Sequence, residues 1–162
     1  MRKLLSIAAL LLAGCAANPF NGYDIPPGTT REGVVARMGP PQQIVRIPSG
    51  ERYQYSLQPV GRYAWMVDLD ASGKVIQARQ VLTEDNFNRI EPGKWTRADV
   101  EREFGRPAWI DGVASWNGPI MTYRWRDRGG ADMFYWVYLD AQNIVRRAHP
   151  GMEFVNFPNE RN

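Results

Sequence analysis

Few residues of this chain are of types that do chemistry. It has one cysteine, Cys15, and one histidine, His149. His149 sits in the stretch His149-Pro150-Gly151, with no serine or cysteine nucleophile motif nearby, so it forms no triad and reads as a structural or idle loop residue. No pair of Cys and His ligands has zinc spacing. Asp68 and Asp70 are two apart and share one face of a strand, where they could hold a cation. Asp70 and Asp140, however, precede tight turns, and an aspartate there stabilises the bend. Glu101, Arg102 and Glu103 read as a solvated helix face. Gly129-Gly130 reads as a hairpin turn, because no helix start follows to make it a phosphate loop. These residues predict no enzyme activity, no metal site and no cofactor.

That leaves Cys15. It follows a basic head, Met1-Arg2-Lys3, an apolar run from Leu4 to Leu12 broken only by Ser6, and the small pair Ala13-Gly14. This is the layout of a secretory signal peptide, and the run is shorter than the roughly 20 residues that span a bilayer. A plain signal peptide would leave a thiol without a partner in an oxidising compartment. Leu12-Ala13-Gly14-Cys15 resembles the bacterial lipobox at every position. The resemblance implies a diacylglycerol on the Cys15 sulfur, cleavage before it, and acylation of the new amino terminus. With about 0.8 kcal/mol per buried methylene, such an anchor is effectively permanent. Ala16, where an aspartate tends to retain Gram-negative lipoproteins at the inner membrane, implies the outer membrane. Residues 1–14 are therefore expected to be a signal peptide and 15–24 a lipidated tether, small and turn-forming in composition.

Without residues 1–14 the chain has 18 basic and 17 acidic groups. With no basic run, nucleic acid is a poor candidate partner. Six Trp, seven Tyr and six Phe supply the apolar area for a core that has no disulfide to lean on.

The positioning elements come as a duplication. "PGTTREGVVARMGPP" (27–41) aligns with "PGKWTRADVEREFGRP" (92–107) after one insertion. Thr30 then matches Thr96, Val34 matches Val100, Gly39 matches Gly105, and Pro41 matches Pro107. "VDLDASGKVIQA" (67–78) aligns with "VYLDAQNIVRRA" (137–148), and Tyr53 with Tyr123 at the same offset. Two repeats, 25–85 and 90–150, are expected, with 151–162 as a tail. Each opens with a short helix. Thr30 and Thr96 are N-caps, Asp99 completes a variant capping box, and Gly39 and Gly105 end the helices in a left-handed turn. About nine residues of helix do not persist alone, so each must dock on a sheet. Strand patterns follow: "QQIVRI", "RYQYSL", "RYAWMVDLD" and "KVIQARQVL", then "PAWID", "IMTYRWR", "DMFYWVYLD" and "NIVRRA". The predicted class is α+β, two tandem units of helix plus antiparallel meander, the helices packed on one face of the sheet or sheets.

A capped helix ending in Gly-x-Pro, then strands closing on a Leu-Asp…Val hairpin, behind a lipobox, resembles the SmpA/OmlA family of small outer-membrane lipoproteins. That family includes an accessory lipoprotein of the β-barrel assembly machinery. The repeat is also similar to the fold of β-lactamase inhibitory proteins, which place two units in tandem. The first resemblance implies an outer-membrane lipoprotein facing the periplasm that binds an outer-membrane β-barrel or its assembly machinery, and assists assembly or envelope integrity. The second implies a protein that binds a periplasmic or secreted enzyme across its sheet.

The copies differ on one face. Val67 and Leu69 match Val137 and Leu139 and are expected to face the helices. The opposite face carries Ala64, Met66 and Asp68 in the first copy and Phe134, Trp136 and Tyr138 in the second. The three aromatics form a candidate partner-binding surface, joined by Trp125 or Tyr123 of the neighbouring strand. The competing expectation is that the tail, with Phe154 and Phe157, or the other copy covers it.

Overall fold

The computed structural model of the chain describes residues 25–153. The signal segment, Cys15 with its tether, and Phe154 and Phe157 of the tail lie outside the described residues. In chain order the elements are α1 (Arg31–Met38), β1 (Gln43–Ile47), β2 (Gly50–Ser56), β3 (Ala64–Asp70), β4 (Val75–Gln80), α2 (Glu84–Phe87), α3 (Arg97–Phe104), β5 (Trp109–Asp111), β6 (Ile120–Arg126), β7 (Asp132–Leu139) and β8 (Val145–Met152). No helix among the described residues is long and apolar enough to cross a membrane.

Both long helices start and stop as their end residues dictate. The Thr30 hydroxyl accepts from the Gly33 amide at 3.3 Å. Thr96 forms a full capping box, its hydroxyl accepting from the Asp99 amide while the Asp99 carboxylate accepts from the Thr96 amide. Gly39 and Gly105 end the helices at φ 78° and 76°, a conformation only glycine adopts cheaply. Thr30 and Thr96 also bridge to Lys74 and Ile144, which stitches each helix start to the last hairpin of its own repeat.

The strands form two separate antiparallel sheets, β1-β2-β3-β4 and β5-β6-β7-β8. The fold is thus α+β with two tandem units. The correspondence of the copies extends to irregularities, with a register shift at Asp68/Leu69 and again at Tyr138/Leu139. It also corrects one alignment. Tyr123 corresponds to Tyr55, not Tyr53. The Tyr55 hydroxyl donates to the Gly39 carbonyl at 3.0 Å and the Tyr123 hydroxyl to the Gly105 carbonyl at 2.8 Å. The offset between copies is not constant, because the β6–β7 hairpin is longer: its pairing reaches Arg126↔Asp132, whereas β2–β3 ends at Ser56↔Ala64.

The two units stack face to tail. α1 lies on one face of the first sheet through Val34 and Met38, against Tyr53, Trp65, Val67 and Leu69, with Ile25 in the same layer. α2 and α3 lie on the second sheet, where Phe87, Val100 and Phe104 meet Met121, Tyr123, Tyr135 and Val137. Phe87 stacks on Tyr135 with ring centroids 4.1 Å apart. The other face of the first sheet closes over α3. Ala64 and Met66 join the second core, and the Gln54 amide donates to the Glu101 and Arg102 carbonyls at 3.0 Å each. The Arg52 guanidinium donates to the Arg102 carbonyl at 3.0 Å and lies 3.1 Å from the Glu103 carboxylate. The order of layers is α1, first sheet, α2/α3, second sheet, and then an uncovered face among the described residues.

Candidate functional site

The uncovered face is set by strand alternation. Direct partners in an antiparallel ladder share a face. Three cross-strand rows follow from the pairing: Trp109–Thr122–Trp136–His149, then Ile120–Tyr138–Arg147, then Arg124–Phe134–Gly151. Phe134, Trp136 and Tyr138 therefore share this face, as expected from the sequence, and each is half-buried.

Tyr123 and Trp125 do not join them. They pair with Tyr135 and Met133, which places them on the helix side, 0% and 3% exposed. The five-residue connection 127–131 fixes the pairing so that even-numbered residues of β6 face even-numbered residues of β7, and the two rings are core. Burial and the bond to Gly105 make the Tyr123 phenol a permanent donor, its pKa pushed well above the ordinary value by desolvation.

Other residues take their place. Trp109, 38% exposed on the short edge strand β5, meets Phe134 edge-on at 5.5 Å. Phe134 and Trp136 are 5.7 Å apart. Trp116 meets Tyr138 edge-on at 5.3 Å and donates its indole N–H to the Leu139 carbonyl at 2.8 Å. His149 is not in a loop: it lies in β8, stacked on Tyr138 at 5.4 Å and 5.3 Å from Trp136. Arg147 lies over the Tyr138 ring at 4.4 Å, and its Nη2 donates to His149 Nε2 at 2.7 Å. Gly151 leaves room for Trp136, since a Cβ there would stand 2.3 Å from the indole. The result is a belt of edge-to-face and tilted rings rimmed by an arginine and a histidine. β8 runs to Met152, past the expected start of the tail, and the Glu153 carboxylate accepts from the Arg124 and Arg62 guanidinium groups at the face's far end.

The sequence missed Trp109, Trp116, Arg147 and His149 as parts of this face. The alternation inside "IMTYRWR" held the signal: Thr122, Arg124 and Arg126 alternate with Met121, Tyr123 and Trp125, so the rings belong inside.

Within the face Thr122 is 0% exposed, and its hydroxyl has no hydrogen-bond partner among the described residues.

The acidic residues considered for a cation are otherwise engaged. Asp68 lies in the joint between the units. Its oxygens accept from Arg52 Nε at 2.5 Å and Nη2 at 3.0 Å, from Gln77 at 2.9 Å and from Arg79 at 3.2 Å. Burial alone would raise its carboxyl pKa. The bond and charge of Arg52, the charge of Arg79 and the Gln77 bond outweigh burial and hold it below the ordinary range. Asp70 and Asp140 accept from backbone amides of their own turns, at 3.0 Å from Lys74 and 2.9 Å from Ile144. Those bonds lower both carboxyls. No group of metal-ligating side chains occurs among the described residues.

No family model matches the chain, and no curated protein matches its sequence. Among solved structures, a DUF4309 family protein (YjgB) from Bacillus subtilis subsp. subtilis str. 168 matches it at 12% identity. The match covers 76% of this chain and 78% of that one with a TM-score of 0.33, too loose a superposition to carry a fold or a function across.

Proposed function

We propose that this protein is a non-enzymatic outer-membrane lipoprotein that holds a protein partner on the open face of its second sheet. The reading rests on one observation. Rings of Trp109, Trp116, Phe134, Trp136, Tyr138 and His149 gather on the face that, in the first unit, seats a helix. Partly exposed aromatic clusters of this kind are typical hot spots of protein interfaces. The lipobox-like Leu12-Ala13-Gly14-Cys15 supplies the membrane attachment, and tethering raises the local concentration of the module.

The chain enters the described fold at Ile25, packed in the α1 layer. The aromatic face lies beyond two sheets and the α2/α3 layer, at about 10 Å per layer. The partner class proposed is an outer-membrane β-barrel or its assembly machinery. The alternative is a periplasmic or secreted enzyme bound in the manner of an inhibitor, for which the two-unit arrangement speaks.

Fractionation of the Cys15→Ala variant tests the anchor: release from the membrane fraction supports it, and unchanged retention rejects it. Crosslinking in intact membranes, followed by co-purification, separates a barrel protein from a soluble enzyme as the partner.

A further inference from the structure

In the first unit, the far face of the sheet is covered in part by the chain that leaves its own last strand. The Val81 amide donates to the Ala64 carbonyl at 2.9 Å, and Val81, Leu82 and Phe87 are buried in one cluster with Ala64 and Met66. The turn that brings them there is local. The Thr83 hydroxyl accepts from the Asn86 amide at 3.3 Å, and the Asn86 side chain donates to the Val81 carbonyl at 3.2 Å. Phe87 is thereby held inside, 0% exposed.

The second unit carries matching parts. Phe134 and Trp136 stand where Ala64 and Met66 do, and Asn156-Phe157 repeats Asn86-Phe87 at the spacing that relates Val75 to Val145 and Ala78 to Ala148. Two departures shape the copy. The β7–β8 ladder runs further, since the Glu153 amide still donates to the Asp132 carbonyl at 3.0 Å. The chain therefore turns after 153, where the first unit turns after 81. Pro158 stands in place of Asn88, the C-cap of α2. It keeps Phe157 out of the helical region and makes the segment a turn rather than a second α2.

The point of departure is fixed at the edge of the open face. The Glu153 carboxylate, 7% exposed, accepts from Arg124 and Arg62 at 3.1 Å each, and Arg124 shares its row with Phe134 and Gly151. That row lies two residues back from Glu153, about 7 Å along the strand. The four residues from Glu153 to Phe157 span at most about 14 Å, enough to turn and return over it. The row of Tyr138 and Arg147 lies about 20 Å back, out of their reach. We infer that residues 154–158 fold back over the Arg124–Phe134–Gly151 row and seat Phe157 on the half-buried Phe134 ring. Phe154, next after Glu153, falls on the opposite side by alternation. The seated ring extends the belt of Trp109, Phe134 and Trp136 by one member. This placement stands apart from the docking reading. Where both hold, Phe157 is one end of the surface offered to the partner, and Trp109, Trp136 and Tyr138 stay open to it.

The test replaces Phe157 with the photocrosslinker benzoylphenylalanine in the full chain, in intact host cells, and maps the product by mass spectrometry. The principal product expected has the mass of one chain and joins position 157 to the peptide that contains Phe134 or the one that contains Gly151. A principal product with another protein, with a second copy, or with residues outside β7 and β8 overturns the placement. A thermal cycle on the purified full chain gives a second readout. Phe157→Ala should lower the melting temperature by about 3–6 °C and should change little once Phe134→Ala is present. An equal loss in both backgrounds, or none in either, also overturns the placement. The docking reading survives either contrary result, because Trp109, Trp136 and Tyr138 lie outside the segment's reach, and it is tested separately by the partner crosslinking described above.

Discussion

Arg52 of the first unit lies 3.1 Å from Glu103 of the second, and this pair, with Asp68 behind it, is the polar joint of the molecule. The Arg52 and Asp68 side chains are only 6% and 4% exposed. Breaking the joint from one side leaves a charge in a dry place. Arg52→Ala is expected to cost about 3–5 kcal/mol, while the double change Arg52→Met with Asp68→Leu should be close to neutral. Urea titrations of the two variants check this; a double variant as unstable as the single one would show that the ion pair itself holds the units together.

The same joint sets a pH dependence. The Asp68 carboxyl is held below its ordinary pKa of about 3.9 by Arg52 and Arg79, against the effect of burial. A depressed folded-state pKa contributes stability that is complete above the unfolded value and is lost as pH falls through the folded one. Wild type should therefore lose stability below about pH 4. The Arg52→Met/Asp68→Leu variant should lose less over that interval, measured by melting from pH 7 downwards. Equal acid sensitivity would place the titration elsewhere.

The helix caps make a graded pair. Thr96→Ala removes the part-buried hydroxyl that accepts from the Asp99 amide at 3.3 Å and donates to its carboxylate at 2.7 Å, while the backbone half of the capping box stays. Thr30→Ala removes an exposed hydroxyl that accepts from the Gly33 amide at 3.3 Å and bonds Glu32. Both losses should fall in the range of about 0.5–2 kcal/mol, with Thr96→Ala the larger. Chemical denaturation of both variants gives the order directly.

Gly118 and Gly93 separate close approach from backbone strain. Both have positive φ, 154° and 82°. A Cβ on Gly118 would stand 2.1 Å from the Leu139 carbonyl oxygen, whereas one on Gly93 meets nothing within 4 Å. Gly118→Ala should cost about 1–3 kcal/mol from overpacking in addition to strain. Gly93→Ala should cost about 1 kcal/mol. Equal losses would mean that the Leu139 carbonyl yields easily.

Much of this architecture is legible in the residues, for physical reasons. Thr30, Thr96, Gly39 and Gly105 mark helix ends because capping is local chemistry. The Leu-Asp hairpins mark strand ends because Asp70 and Asp140 bond their own turns. The errors arise where the information is not local. The alternation in "IMTYRWR" puts Tyr123 and Trp125 on one face and Thr122 and Arg124 on the other, but which residues of the next strand they pair with depends on hairpin parity, and a shift of one residue inverts every side chain. A constant offset pairs Tyr53 with Tyr123 because it hides the longer β6–β7 hairpin. The four-residue α2 is too short to leave a period, and Phe87 shows its role only through Tyr135 across the core. Glu103 looks like a solvated charge until the units stack, since its partners Arg52 and Arg79 lie in the other copy. The aromatic strip Phe134, Trp136 and Tyr138 was legible because it is an asymmetry between otherwise matching copies. Its companions Trp109 and His149 were not, because they come from edge strands whose register the sequence leaves open.

On the proposed reading, the open face of the second sheet serves contact rather than the core. The most direct measurement is the affinity of the partner crosslinked in the membrane for wild type and for the Phe134→Ala/Trp136→Ala double variant, with unfolding of the same samples alongside. Each truncation on the face should cost about 1–2 kcal/mol of stability, since part of each ring already meets water, against about 3–5 kcal/mol for Phe104→Ala in the core. Binding by the folded double variant is predicted to fall on the order of a hundredfold or more. A double variant that stays folded and binds as wild type does, or one that unfolds as Phe104→Ala does, contradicts the account.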